Sequence, residues 1–266
     1  MSKVLILTNS SGGLYDFRNE FVQALLCGNQ VYISMPDDVK EKELVQEGCQ
    51  IIKTDINRRG INPLEDLKLY RTYSRMMKER KPDLVVTYTI KPNLYGGFAA
   101  ARRKIPYIAT ITGLGGAFDR SGLLLQLIVS MYKAGLKKAA CVFFQNEENR
   151  GIFQRLGITA KKTRMVMGSG VNLERHRYEE YPAVEETHFL FVGRVMKERG
   201  ILEYIEAAKA LHSQRVFFDI MGYCDEDYQD MLDYLEQEGI VHQIGFHTEV
   251  HPYLTAASAI VVASFH

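Results

Sequence analysis

The chain has 266 residues, 46% of them apolar and 24% charged, with a net charge of +1. That length holds one large or two modest α/β domains, and the composition is ordinary for a soluble globular protein. The longest nearly apolar stretch, GLLLQLIVSMY (Gly122–Tyr132), is too short to cross a bilayer, and the opening MSKVLILTN has no signal-peptide plan. Cys27, Cys49, Cys141 and Cys224 form no C-x-x-C pair, so a reduced, cytosolic protein is expected.

In chain order, KVLILTN reads as a strand, followed by the helix DFRNEFVQALL with Phe17, Phe21 and Leu25 at i, i+4 and i+8. QVYISM is a second strand, DDVKEKELVQEG a helix ending at Gly48, and QIIKTD a third strand. Asn62 predicts an N-cap, Pro63 the first helical position and Glu65 the return arm of a capping box, which together open a basic helix over Leu64–Lys81. LVVTYT, YIATIT and CVFFQN are three more strands, separated by helical patterns around Leu94–Lys104 and Gly122–Leu136. This alternation implies a parallel sheet wound on both faces.

The polar, proline-bearing stretch Glu174–Thr187 reads as a linker, after which the alternation restarts. HFLFVGR, VFFDIMG, VHQIGF and Ala259–Ala263 are strands, and Ile201–His212, Glu226–Gly239 and a short segment after Pro252 are helices. The expected organisation is therefore a first domain over 1–173, a linker over 174–187 and a second domain over 188–266. Both are Rossmann-like and face a cleft. Cut at the linker, the first part holds 26 lysines and arginines against 15 acids, a net +11, and the remainder carries −10. A basic first half suits anionic partners such as phospholipid headgroups or a lipid diphosphate. The acidic second half would repel a long polyanion, so nucleic acid is not expected as a partner.

Glycine-bearing loops follow the parallel strands, where α/β folds bind ligands. In NSSGGLYDF, Gly12 and Gly13 would let backbone N–H groups approach a phosphate at a helix start. TITGLGGAF is not G-x-G-x-x-G and lies far from the first strand, which disfavours a nicotinamide enzyme. GSGVN (Gly168–Asn172) closes the first half. FVGRVMKERG (Phe191–Gly200) sets Arg194 at a strand end, with Arg199 and Gly200 just inside the next helix. Two guanidinium groups beside a helix N-terminus can hold a diphosphate and stabilise it as a leaving group.

On these segments the chain resembles the retaining glycosyltransferases of the GT-B fold, family 4. Members carry a Gly-Gly loop after the first strand, a glycine-rich loop before the linker, and G-R-x-x-x-x-K-G after the first strand of the second domain. Here Arg199 stands at the lysine position, keeping the cation but changing its shape. YTIKPNLYG (Tyr88–Gly96) and TGLG (Thr112–Gly115) are similar to a bacterial subgroup that builds capsular and O-antigen glycans.

The resemblance implies a nucleotide-sugar donor, a UDP-sugar by preference, held by the second domain. It also implies a lipid-diphosphate-linked acceptor taken by the first domain at the inner face of the membrane. Gly12, Gly13, Gly168, Gly170, Arg194 and Arg199 are then the donor-binding candidates, and Lys91, Asn93 and Thr112 line the acceptor side. Retention by same-face displacement needs no protein nucleophile, so the candidates nearest the chemistry are Thr112 and His266. No metal and no cofactor are implied.

In the family, S-F-H runs into a segment with two glutamates eight residues apart that touch the donor. The sequence stops at His266, so a second domain cut short before that motif is expected, with weak turnover and self-association through an unpaired sheet edge. Its rival is a non-catalytic nucleotide-sugar-binding fragment, or one half of a two-polypeptide transferase. An epimerase would need G-x-x-G-x-x-G after the first strand and Y-x-x-x-K, and has neither. Asp225 and Asp227 form a D-x-D, but at the opening of a predicted helix they read as charges complementing its dipole. His247 and His251 do not spell H-E-x-x-H, and no cysteine adjoins them to make a zinc site.

Overall fold

The computed structural model describes residues 1–57, 62–114, 118, 122–174, 176–182, 185–224 and 226–265, leaving aside the side chains of Leu123 and Leu124. The chain divides into two compact units, Met1–Val171 and Asn172–His266. Among the described residues no helix is long and apolar enough to cross a membrane.

The first unit is built on seven parallel strands: β1 (Ser2–Leu7), β2 (Asn29–Met35), β3 (Gln50–Lys53), β4 (Leu84–Tyr88), β5 (Tyr107–Ile111), β6 (Cys141–Phe144) and β7 (Thr163–Met165). They lie in the order β3-β2-β1-β4-β5-β6-β7. Side chains alternate between the two faces of a strand, and β1 is buried on both. Val4 and Ile6 pack with Leu14 and Val22 of α1 (Ser11–Leu26) and Leu44 of α2 (Glu41–Gln46). Leu5 and Leu7 belong to the opposite core. It also holds Tyr73 of α3 (Pro63–Arg80), Ala99 of α4 (Gly97–Arg102), Tyr132 of α5 (Leu123–Leu136) and Phe153 of α6 (Glu147–Arg155). Periodicity had not marked α6 or the short β7 as elements of their own.

Three local expectations are corrected. Phe17 and Phe21 are 58% and 41% exposed rather than facing the core. Arg18 breaks the helical backbone with φ −146°, and α1 buries Leu14, Asn19 and Val22 instead. At α3, Asn62 caps the Leu64 N–H and Pro63 opens the helix, but Glu65 accepts from Asn57 Nδ2 at 3.0 Å instead of closing a capping box. The stretch after β4 starts as a π-turn over Pro92–Gly96 before α4 begins. A Cβ on Gly96 would collide with Leu7 Cδ1, and one on Gly97 would crowd the Tyr107 ring. The two glycines let this segment sink onto the sheet between α3 and α5.

The second unit repeats the plan with β8 (Thr187–Val192), α7 (Ile201–Leu211), β9 (Val216–Met221), α8 (Gln229–Gln237), β10 (His242–Gly245), α9 (His251–Ala256) and β11 (Ala259–Val261). Its strands are parallel, in the order β10-β9-β8-β11. The terminal strand therefore lies beside the first strand of its sheet, as the 3-2-1-4 order expects. Phe191, Ile201, Tyr204, Ile205, Phe218 and Leu235 form the core. The helix expected from Glu226 starts only at Gln229, and the Glu226 carboxylate accepts the Lys197 N–H at 2.9 Å.

Candidate functional site

The order of the first sheet reverses between β1 and β4, and open α/β sheets bind ligands at the carboxyl ends of such a pair. A cavity of about 240 Å³ lies there, lined by Asn9 beyond β1, Ile56 beyond β3, Thr89 and Lys91 beyond β4, and Thr112 and Gly113 beyond β5. Thr89 has φ 71°, a left-handed conformation rare for a β-branched residue. Among the described residues its buried Oγ1 has no hydrogen-bond partner. A strained residue with an unspent hydroxyl in a cavity is the pattern of a ligand contact. Sequence reasoning singled out neither Asn9 nor Thr89. The only signal was their place at strand ends.

The acceptor-side candidates separate into three roles. Thr112 is half-buried and lines this cavity. Lys91 lines it too, but its Nζ lies 2.8 Å from the buried carboxylate of Asp66, so its charge is already paired. Burial pushes the Tyr95 phenol up, and the Asp66 carboxylate adds to the shift. Asn93 is not a lining residue. It is 1% exposed, accepts from Thr87 Oγ1 at 2.6 Å and donates to the Thr110 carbonyl at 2.9 Å, bracing β4 against β5.

At the start of α1 the helix dipole already has partners. Ser10 accepts the Gly13 N–H at 3.1 Å, and Asp37 accepts the Ser11 N–H at 3.0 Å and the Ser11 hydroxyl. A Cβ on Gly12 or Gly13 would make only ordinary contacts within the chain. Their bareness would matter only for close approach of a ligand. Arg18 Nη1 donates to the Gly13 carbonyl at 3.1 Å, and its guanidinium lies over the Tyr88 ring. Burial lowers the Arg18 pKa from its ordinary value. This cation, placed by the kink in α1, carried no sequence signal. Gly168 and Gly170 both have positive φ in an exposed turn beyond β7, where Ser169 Oγ accepts from Gln145 Nε2 at 2.9 Å.

In the second unit, β8, β9 and β10 reach Gly193, Gly222 and Gly245 at their carboxyl ends, all with positive φ. A Cβ on Gly222 would overlap the Gly193 carbonyl oxygen, and one on Gly200 would overlap the carbonyl of Ala263. The loop Gly193–Gly200 is thus pressed between two neighbouring strand ends. It is further tied by Val195 N–H to Tyr223 O at 2.9 Å and by Phe265 N–H to Glu198 O at 3.1 Å. Arg194 is half-buried in this loop. Arg199 is exposed in a 3₁₀ turn over Lys197–Arg199, with Gly200 as the N-cap of α7, so Arg199 precedes the helix rather than lying inside it. Both arginines lie on the loop that follows β8. The close approach at Gly222 was missed, although IMG was visible as a strand ending.

His266, Gly115 and Asp225 lie outside the described residues. His247 packs against the Tyr253 ring, and His251 stacks on His176. Among the described residues no group of three or more His, Cys, Asp or Glu side chains is placed to hold a metal ion.

Similarity to known proteins agrees with this geometry. The N,N'-diacetylbacillosaminyl-diphospho-undecaprenol alpha-1,3-N-acetylgalactosaminyltransferase of Campylobacter jejuni is 25% identical, over 99% of this chain and 74% of the relative. HepE from Anabaena, solved with UDP and glucose, superposes with a TM-score of 0.74 at 17% identity, over 99% of this chain and 74% of that one. The sucrose-phosphate synthase of Thermosynechococcus elongatus superposes at 0.70 and 17% identity, over 100% and 76%. These solved structures share the fold of two doubly wound α/β units. Residues 3–146, more than half of the chain, match the family described as glycosyl transferase 4-like, and the chain belongs to that family of glycosyltransferases.

Proposed function

We propose that this chain moves a sugar from a UDP-sugar to a polyprenyl-diphosphate-linked glycan, with retention, at the anionic inner surface of a membrane. The observation that carries the reading is the loop Gly193–Gly200 above β8. Its glycine backbone packs closely against the neighbouring strand ends, and the loop carries both Arg194 and Arg199. Guanidinium groups there would receive the donor diphosphate and stabilise the charge that grows on it as the C1–O bond breaks. The acceptor hydroxyl attacks C1 from the face the diphosphate leaves, and its proton passes to a leaving phosphate oxygen. No protein nucleophile takes part. The lipid-linked substrate in the name of the Campylobacter relative and the UDP and glucose bound to HepE support the two substrate classes. The excess positive charge of the first unit supports the membrane placement.

The test is incubation of the chain with a panel of UDP-sugars and an undecaprenyl-diphosphate-linked monosaccharide, reading released UDP and the anomeric configuration of the product. Release of UDP that depends on the lipid acceptor, with an α-linked product from an α-linked donor, is expected. No UDP binding and no transfer across the panel would overturn the reading.

A further inference from the structure

The lining of the strand-end cavity in the first unit is chemically selective. Its polar members are Asn9, Thr89 and Thr112, together with Lys91, whose charge is spent on Asp66. The Thr89 hydroxyl is buried without a partner, and among the described residues the side chains of Asn9 and Thr112 make no hydrogen bond either. Ile56, Ile90 and Gly113 complete the lining. Three neutral polar side chains left unspent by the fold thus share about 240 Å³ with two branched aliphatic ones.

That lining narrows the occupant. A diphosphate or a sugar carboxylate fits badly, because among the described residues no unpaired cation lines the cavity. A hydrocarbon tail would leave the buried Thr89 hydroxyl unsatisfied. A secondary amide that ends in a methyl group answers both halves of the lining. Its N–H and C=O can pair with hydroxyl and carboxamide groups, and its methyl can pack on Ile56 and Ile90. The volume is below that of the usual small-ligand site, so the cavity takes a substituent or a single ring rather than an oligosaccharide. A polar pocket of about 670 Å³ adjoins it, sharing Ile56 and Lys91, and has room for the remainder of a larger ligand.

We propose that this cavity seats the acetamido group of the acceptor's sugar, so that the first unit selects an N-acetylated sugar on the lipid carrier. The inference rests on the lipid-linked acceptor of the proposed function and names the substituent by which that acceptor is chosen. Thr89 is the specificity-determining residue. A β-branched residue at φ 71° is held there at a cost in free energy, and no hydrogen bond of its hydroxyl within the described fold offsets it. An acetamido group on the donor sugar would offer the same chemistry, and the test separates the two sources.

The probes are farnesyl diphosphate esters of glucose and of its 2-acetamido and 4-acetamido derivatives, titrated calorimetrically into the full chain beside UDP-glucose and UDP-N-acetylglucosamine. One acetamido lipid should bind at least about tenfold more tightly than the glucose lipid, the combined effect of a net hydrogen bond and a buried methyl group. Thr89→Val keeps the β-branched shape and should abolish that preference, with the affinity for the glucose lipid and the melting temperature unchanged. Thr89→Ser keeps the hydroxyl and should retain the preference. Gly113→Leu, at a lining position where a Cβ meets nothing within 4 Å, should also remove it by filling the cavity. Equal affinity of the wild type for all three lipids would overturn the proposal, and so would a preference that survives Thr89→Val. A preference confined to UDP-N-acetylglucosamine over UDP-glucose would overturn the assignment to the acceptor. The titrations need no sugar transfer. A failed transfer assay beside an intact acetamido preference would therefore strike the proposed reaction alone, and transfer to acceptors bound with equal affinity would strike this inference alone.

Discussion

Gly222 lies against Gly193 so closely that a Cβ on the first would overlap the carbonyl oxygen of the second. The two glycines end neighbouring strands, and Gly193 N–H donates to the Met221 carbonyl at 2.9 Å. Gly222→Ala should therefore destabilise the second unit by about 2–4 kcal/mol in urea unfolding, because backbone must move and the φ of 153° resists a side chain. Gly239→Ala, at φ 69° with open space around it, should cost only about 1 kcal/mol. Equal costs would mean that the loop yields easily.

The arginine pair makes a prediction about affinity. Changing Arg194 or Arg199 to Ala should weaken UDP binding by about 1.5–3 kcal/mol each, the value of charge-assisted hydrogen bonds. Isothermal titration with UDP measures it. Unchanged affinity in the double variant would remove this loop from the donor site.

Asn93 should behave as a brace. Asn93→Ala strands the Thr87 hydroxyl and the Thr110 carbonyl in a buried layer, at about 1–3 kcal/mol for each unsatisfied group. Chemical unfolding should record most of that loss. A variant of full stability with impaired acceptor binding would return Asn93 to the role of a ligand contact.

The charge division predicts behaviour at a membrane. With +11 on residues 1–173 and −10 on the rest, the chain should float with phosphatidylglycerol vesicles at low salt and be released as ionic strength rises. Binding indifferent to salt would point to apolar insertion instead, through exposed groups such as Leu64 and Leu127.

Cys49 offers a pH test. Burial pushes its thiol from the ordinary 9.0 up to about 12, with Glu47 adding to the shift, whereas Cys27 is exposed. At pH 8 iodoacetamide should label Cys27 and spare Cys49 in the folded chain. The folded form holds the Cys49 proton more tightly than the unfolded form. Its contribution to stability is therefore complete below about pH 9 and is lost as pH rises from there towards 12. Mass spectrometry after labelling at pH 8 and pH 10, with unfolding midpoints at both, separates these effects.

The succession of strands and crossover helices was legible in the sequence because burial on both faces makes a parallel strand a nearly continuous apolar run. Val4–Leu7 and Phe189–Phe191 show it. The N-cap at Asn62 was equally local, since the side chain and the N–H it accepts are two residues apart. The Gly193–Gly200 loop was found because its glycines and arginines are close in the chain. What required tertiary structure were relationships across long separations. The kink at Arg18 turned Phe17 and Phe21 outward and set a guanidinium over Tyr88, seventy residues away. Asn93 looked like a site residue beside Lys91 until its amide met Thr87 and Thr110 on two strands. Asp66 and Lys91 carry no sign of each other in sequence, yet they share one buried ion pair. Gly222 read as an ordinary strand end until the Gly193 carbonyl closed on it. Local periodicity and capping depend on chain neighbours and so are written in the sequence. Which polar group is spent in bracing the fold, and which stays open to a ligand, depends on what the rest of the chain brings beside it.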